Sequence, residues 1–297
     1  MDNIVINDRY LLKTEIGHGG YAKVFLAYDK VRQTFVALKI LKCDIDKDKK
    51  AFTMFNQEAM TLAAIDNPYI VRVYESGIYE KNPYLVMDYV KGKSLKEIIY
   101  ENGYLLTDEV FVFTQQILQG LEACHNANII HRDIKPQNIV KKADGSIVIL
   151  DFGLAFVSQD DINLYKEDGT TISCTVQYMA PEILDNPKGT IQSDIYALGI
   201  SMYEMFTGKH PFPLTDKNEK IDVIHMHAKS PFPSVRKLNP KVPESFENII
   251  YKCCEKDPSK RYRNVNELYC ELLIAYDEYK NPKKKKQSFF QRLFKRK

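Results

Sequence analysis

A chain of 297 residues, 44% hydrophobic and 27% charged, can bury one large core or two modest, closely joined ones. No run approaches the roughly 18 apolar residues of a membrane span, and MDNIVINDRY lacks the basic start and apolar stretch of a secretory signal, so a cytosolic location is expected. The net charge of +3 hides an asymmetry: residues 281–297 hold eight of the 42 Lys/Arg and none of the 39 Asp/Glu, leaving −5 on the remainder, which offers no compositional case for nucleic acid.

In chain order, residues 1–90 read as strand-rich. RYLLKTEI, AKVFLAYD, TFVALKIL, IVRVYESG and PYLVMDYV are short, rich in Val, Ile, Leu, Phe and Tyr, and separated by turn residues. One segment between them, KKAFTMFNQEAMTLAAI, spaces Phe52, Phe55, Ala59, Leu62 and Ala63 as one helical face. After Gly92 the pattern becomes helical. Thr107 and two acids open a helix whose apolar side is Val110, Phe113, Ile117 and Leu121, and SDIYALGISMYEMFTG and ESFENIIYKCCEKD follow as further helices. Between them lie a hairpin, NIVKKADGSIVIL, and a loop-like stretch from about 154 to 190, a length that is uncommon without a function. Six cysteines (43, 124, 174, 253, 254 and 270) show no CxxC spacing and are expected as free thiols, several of them buried.

Four stretches carry chemistry. GHGGYAKVFL crowds Gly17, Gly19 and Gly20 as a phosphate-cradling loop would, with Ala22 where a G-x-G-x-x-G loop has its last glycine. VALK puts Lys39 on a strand 22 residues after Gly17, HRDIKPQN supplies Asp133, Lys135 and Asn138, and DFG places Asp151 after the apolar run IVIL. Any one alone reads as a turn or a few surface polar residues. Their joint order and spacing do not.

The set resembles the protein-kinase family, over roughly residues 10 to 275, with APE at 180–182, SDIYALG at 193–199 and DPSKRY at 257–262 as later landmarks. EAMTLAAIDNPYIVRVYESG and YLVMDYVKGKSLKEII are most similar to bacterial serine/threonine kinases of the eukaryotic-like type. The resemblance implies an α+β, two-lobed fold: an ATP-binding N-lobe over 1–90, a C-lobe over 91–277 with the catalytic and activation segments, and a basic amphipathic tail over 278–297. It implies ATP and Mg²⁺ (Mn²⁺ as an alternative) and Ser/Thr acceptors on protein substrates. Ile16, Gly17, Gly19, Gly20, Ala22 and Val24 would cover the nucleotide, with Val24, Ala37 and Val140 around the adenine. Met87 falls at the gatekeeper position, and the Asp88 carbonyl and Val90 amide would meet the adenine edge; Ser94 stands where many members have an acidic ribose contact. Lys39 would hold the α/β-phosphates with Glu58, the one acid in its helix, as partner. Asp151 and Asn138 would hold metal, Asp133 would act as base or orienting carboxylate, Lys135 would steady the γ-phosphate, and Thr175 would contact Asp133 and Lys135. Lys135 marks serine/threonine specificity, and Cys174 replaces the glycine common before Thr175. Glu182, Asp194 and Arg261 are structural, Glu182 and Arg261 as a buried ion pair.

Arg132 before the catalytic Asp implies an activation-loop phosphate, with Thr170, Thr171 and Ser173 as candidates and Ser158 more distant. The rival reading, a pseudokinase scaffold, is disfavoured because Lys39, Asp133, Asn138 and Asp151 are all intact. In the tail KKKKQSFFQRLFKRK, residues Phe289, Phe290, Leu293 and Phe294 share one helical face flanked by Lys and Arg. That pattern points to reversible contact with an anionic membrane, at the inner membrane surface, ahead of nucleic acid or a partner-protein groove. The sequence does not determine the oligomeric state.

Overall fold

The computed structural model describes residues 4–18, 22–42, 45, 49–151, 176–186 and 188–282. Gly19, Gly20, Ser158, Thr170, Thr171, Ser173, Cys174, Thr175 and the tail beyond 282 lie outside the described residues.

The N-terminal part is an antiparallel six-stranded sheet in the order β1-β2-β3-β4-β6-β5. Its strands are β1 (Val5–Ile6), β2 (Tyr10–His18), β3 (Ala22–Asp29), β4 (Thr34–Leu41), β5 (Val73–Tyr79) and β6 (Asn82–Asp88). The five expected strands are present, with β1 as a short addition on the edge. One helix, α1 (Lys49–Ala63), packs against β5. It buries Phe55, Ala59 and Leu62 as its spacing predicts, whereas Ala63, at the last turn, is exposed.

Strand alternation sorts β4 between two cores. Val36 and Leu38 join Ile6, Tyr10, Ala27, Tyr84 and Val86 on the far face, while Ala37 and Leu41 join the main core beneath. Lys39 lies on the second face, between two small or aliphatic residues, and is only 8% exposed. A buried lysine on a sheet needs a specific partner, which is the first structural pointer to a site.

The C-terminal part is mainly helical: α2 (Leu95–Asn102), α3 (Thr107–Asn126), α4 (Ile191–Thr207), α5 (Lys220–Lys229), the short α6 (Val235–Leu238), α7 (Glu244–Cys253) and α8 (Val265–Lys280). The apolar side of α3 is buried as expected. Thr107 is its first residue, as expected, and Leu106 is the cap, with its amide donating to Glu109 Oε2 at 3.1 Å. α4 is buried on all sides, the signature of a central core helix. It stops at Gly208 (φ +68°), where a side chain would collide with the Gly103 carbonyl. α8 lies on α3 through a stack of Phe111 on Tyr276 (3.6 Å between ring centroids). Cys124, Cys253 and Cys254 are buried thiols and Cys270 is exposed, as expected for unbridged cysteines. Among the described residues, no helix is long and apolar enough to cross a membrane.

A second sheet, β7 (Lys93–Ser94), β8 (Ile139–Lys141) and β9 (Ile147–Ile149), sits where the two parts meet. The Val71 amide donates to the Ile149 carbonyl (3.0 Å) and the Ile149 amide to the Tyr69 carbonyl (2.8 Å). Gly92 lies so close to β8 that a Cβ there would be 2.2 Å from the Lys141 carbonyl. The main core runs through both parts, from Ala22 to Ala275, so the junction is packed rather than loosely linked.

Candidate active site

The polar centre forms where β4, the end of β9 and the segment 131–138 converge. Lys39 Nζ lies 2.5 Å from Asp151 Oδ1. Asp133 accepts from Lys135 Nζ at both oxygens (2.8 and 2.7 Å) and from Asn138 Nδ2 at Oδ2 (2.7 Å); Asn138 Nδ2 also meets the Asp133 carbonyl (2.9 Å). Three residues singled out from one short motif thus meet at a single carboxylate. The 3₁₀ turn Pro136–Asn138 makes this possible by folding Asn138 back, with its amide bonded to the Lys135 carbonyl at 2.9 Å.

Buried groups hold this loop from behind. Asp194, on α4, accepts from the backbone amides of His131 and Arg132 and from His125 Nε2, each at 2.9 Å. This fixes Arg132 with φ +67°; Asp151, across the centre, has φ +55°. Such backbone is costly for residues with a Cβ and persists where surroundings over-determine it, as at functional sites. His131, absent from the expected site residues, ties the two segments together. Its Nδ1 accepts from the Asp133 amide (3.2 Å) and its Nε2 lies 3.1 Å from the Leu150 carbonyl. Burial lowers its pKa, so the ring is neutral with the proton on Nε2, the tautomer these two contacts require. The signal was present in the sequence as the first letter of HRD, but only the fold shows what the imidazole touches.

The expected pairing of Lys39 with Glu58 is not the one found. Glu58 Oε1 lies 3.2 Å from Arg132 Nη2, and the ammonium of Lys39 is taken by Asp151. The reason is electrostatic competition: each carboxylate sits against the nearest cation, and the loop carrying Arg132 offers a guanidinium beneath α1. Arg132 Nε donates to the Lys188 carbonyl at 2.8 Å.

The residues expected around the adenine begin two positions before Lys39 on β4. Ala37 is in register with Met87, and both are nearly fully buried in the same core as partly buried Val24 and Val90; Val140, on β8, is also buried. Ala22 is buried opposite Leu41, and Gly17 is opposite Val24. A Cβ on Gly17 would come no nearer than 3.7 Å to Val24, so packing within the described residues does not itself demand glycine there. Ile16 is exposed at the rim. The Asp88 carboxylate accepts from the Tyr74 hydroxyl. Ser94 caps α2, accepting from the Glu97 amide at 3.2 Å.

The donor set suits a hard cation with phosphate. Asp151 and Asn138 offer one carboxylate and one amide oxygen, and no cluster of three or more His, Cys, Asp or Glu forms among the described residues. Magnesium is commonly held by one or two protein oxygens, with phosphates and waters completing its shell. Glu182 and Arg261 form the expected ion pair, at 2.7 and 2.9 Å.

A strand-rich unit with one helix, joined to a helical unit and carrying this constellation at the seam, is a two-lobed kinase fold. The protein kinase domain family matches residues 10–271, and the chain belongs to it. It is 36% identical over 272 residues to the serine/threonine-protein kinase PrkC of Bacillus subtilis (92% of this chain, 41% of that protein). It is 35% identical over 272 residues to the probable serine/threonine-protein kinase PknB of Lactococcus lactis (91% and 42%). PknB of Mycolicibacterium smegmatis is 32% identical over 277 residues (92% and 44%). The chain thus spans about two fifths of the length of these relatives. The fold is similar to that of Rad53 1–466 solved in complex with AMP-PNP, with a TM-score of 0.70 and 23% identity over 88% of this chain and 64% of that one.

Proposed function

We propose that the chain transfers the γ-phosphoryl group of ATP to serine and threonine hydroxyls of proteins. The observation that carries this is the meeting of Lys135 and Asn138 on the Asp133 carboxylate, across from the Lys39–Asp151 pair. ATP supplies the phosphoryl group, and Mg²⁺ on Asp151 and Asn138 would neutralise its charge. Asp133 orients the acceptor hydroxyl and takes its proton; Lys135, already on that carboxylate, faces the same point with positive charge. Lys39 draws the phosphates toward Asp151 from the buried face of β4. Ala37, Met87, Val140 and Val24 form the apolar slot for the adenine, with the Asp88 and Val90 backbone at its edge. Incubation with labelled ATP and Mg²⁺, followed by phosphosite mapping, tests the reading. Phosphate on serine and threonine is expected, and none on any protein substrate would overturn it.

Activation by loop phosphorylation is part of the proposal. Arg132 already meets a carboxylate, Glu58, and a phosphate carries more charge and more acceptor oxygens than a carboxylate. Thr170, Thr171 and Ser173 are the proposed acceptors. Changing all three to Ala should slow phosphorylation of an added protein by about tenfold or more, since a charge-assisted bond is worth roughly that much. Equal rates would show that the loop needs no phosphate.

For residues 281–297, the alternation of basic residues with an apolar face supports reversible binding to anionic membranes. Each cation near such a surface contributes about 1 kcal/mol, and salt screens it. Co-sedimentation with phosphatidylserine vesicles at low salt should fall sharply on truncation at residue 280. Unchanged sedimentation would remove the tail from any membrane role.

A further inference from the structure

The edge strand β5 is irregular at Tyr74. Val73 stands opposite Met87 and Glu75 opposite Val86, so Tyr74 is the extra residue of a β-bulge. A bulge interrupts the ladder locally and re-aims the side chains around it. Here the Tyr74 hydroxyl donates to the carboxylate of Asp88, the last residue of β6. The Asp88 amide donates to the Arg72 carbonyl at 2.9 Å. Residues 72 and 74 thus grip Asp88 by its backbone and by its side chain.

The ring of Tyr74 is itself held. It packs on the core of Val36, Leu38 and Val86, and the Arg32 guanidinium lies over it, 4.0 Å from the centroid. Arg32 is 3.6 Å from Asp29, whose fully buried side chain also takes Arg9 at 2.7 Å. Burial and the Asp88 carboxylate raise the pKa of Tyr74, so the hydroxyl stays a donor near neutral pH. A phenylalanine would fill the same space on the core and beneath Arg32. What the hydroxyl adds is a charge-assisted bond to one point, where β6 ends.

We infer that Tyr74 is a positioning residue for the nucleotide: by holding the Asp88 carboxylate it fixes the direction of the Asp88 carbonyl, and so favours a base with an amino group at its edge. The inference rests on the proposed adenine site for the place of that carbonyl. A carbonyl only accepts, and the exocyclic amine is the donor that adenine offers on its pairing edge. With the side chain released, the end of β6 can turn. Hydrogen bonds weaken steeply as they depart from linearity, so the contact to the amine is what suffers. The phosphate end of the site lies on other elements and is left as it was.

The test uses the full chain and two nucleotides, ATP and purine riboside triphosphate, which lacks the 6-amino group. Binding of each with Mg²⁺ is read by titration calorimetry, which needs no turnover, and phosphate transfer is read in parallel. The wild type should bind ATP about tenfold more tightly than the analogue, the contribution of one hydrogen bond. Tyr74→Phe should weaken ATP by about three- to tenfold and leave the analogue within about twofold. In steady state the loss should appear in KM for ATP and not in kcat. Asp88→Ala should reproduce Tyr74→Phe, and the double change should be no worse than either alone, since both act through one bond. Asp88→Asn, which keeps an oxygen for the hydroxyl, should retain most of the preference for ATP. Equal weakening of both nucleotides in Tyr74→Phe would reduce the residue to a packing role and overturn the inference. So would an unchanged affinity for ATP, a wild type that does not distinguish the two nucleotides, or losses that add in the double variant. The expected binding pattern without phosphate transfer to serine or threonine would count against the kinase reading and leave the role of Tyr74 standing.

Discussion

Asp133→Asn should lower turnover by about 10²–10⁴-fold while leaving the affinity for ATP close to that of the wild type, the range typical of a lost general base. In the role proposed for it, the carboxylate receives the acceptor proton, a demand that arises in the transition state and not in nucleotide binding. The substitution is nearly isosteric. It keeps an acceptor for Lys135, which donates at 2.8 and 2.7 Å, but sets two N–H donors against the donors of Lys135 or Asn138 if the amide turns. Single-turnover rates and nucleotide binding, measured together, separate the two effects. A variant as fast as the wild type would exclude Asp133 from the reaction. Asp151→Asn should show the opposite split, with Mg-dependent nucleotide binding weakened first, because Asp151 is the carboxylate that faces Lys39 and the proposed metal.

Arg261→Ala should destabilise the fold by about 3–5 kcal/mol and lower the Tm by on the order of 10 °C, the penalty for breaking an ion pair whose arginine is fully buried. The Arg261 side chain is fully buried, and its guanidinium is satisfied on every side. It pairs with both oxygens of Glu182 and donates to the carbonyls of Gln192, Glu255 and Lys256 at 2.9, 2.7 and 3.2 Å. It also lies 4.7 Å from the centroid of the Tyr196 ring. Alanine would leave Glu182 without its cation and would remove the guanidinium donors from three carbonyls. Arg261→Lys should recover little, because one ammonium cannot span the carboxylate and three separated carbonyls. Thermal unfolding of the two variants checks this, and a change below about 1 kcal/mol, the size of a surface ion pair, would show that the bridge is not structural.

The sequence by itself determined the architecture and most of the polar centre. Strand alternation and helical spacing are local properties, so β2 to β6, α1, α3, α4 and α7 were legible from side-chain pattern alone. Lys39, Asp133, Lys135, Asn138 and Asp151 were legible because their motifs stand in the order and spacing of the protein-kinase family. Which charge meets which was decided only in the folded chain. Glu58 stands on Arg132 and Lys39 on Asp151, because ion pairing depends on distances between segments 74 and 112 residues apart, and spacing along the chain carries no such information. His131 as the neutral tie between Asp133 and Leu150, and Glu204 beneath Tyr178 and Lys96, were hidden for the same reason. A buried glutamate on α4 looks in sequence like any other helical acid. It acquires meaning when packing closes water out on all sides, and the fold must then bring it a cation from α2 and a hydroxyl from the turn at Val176–Tyr178.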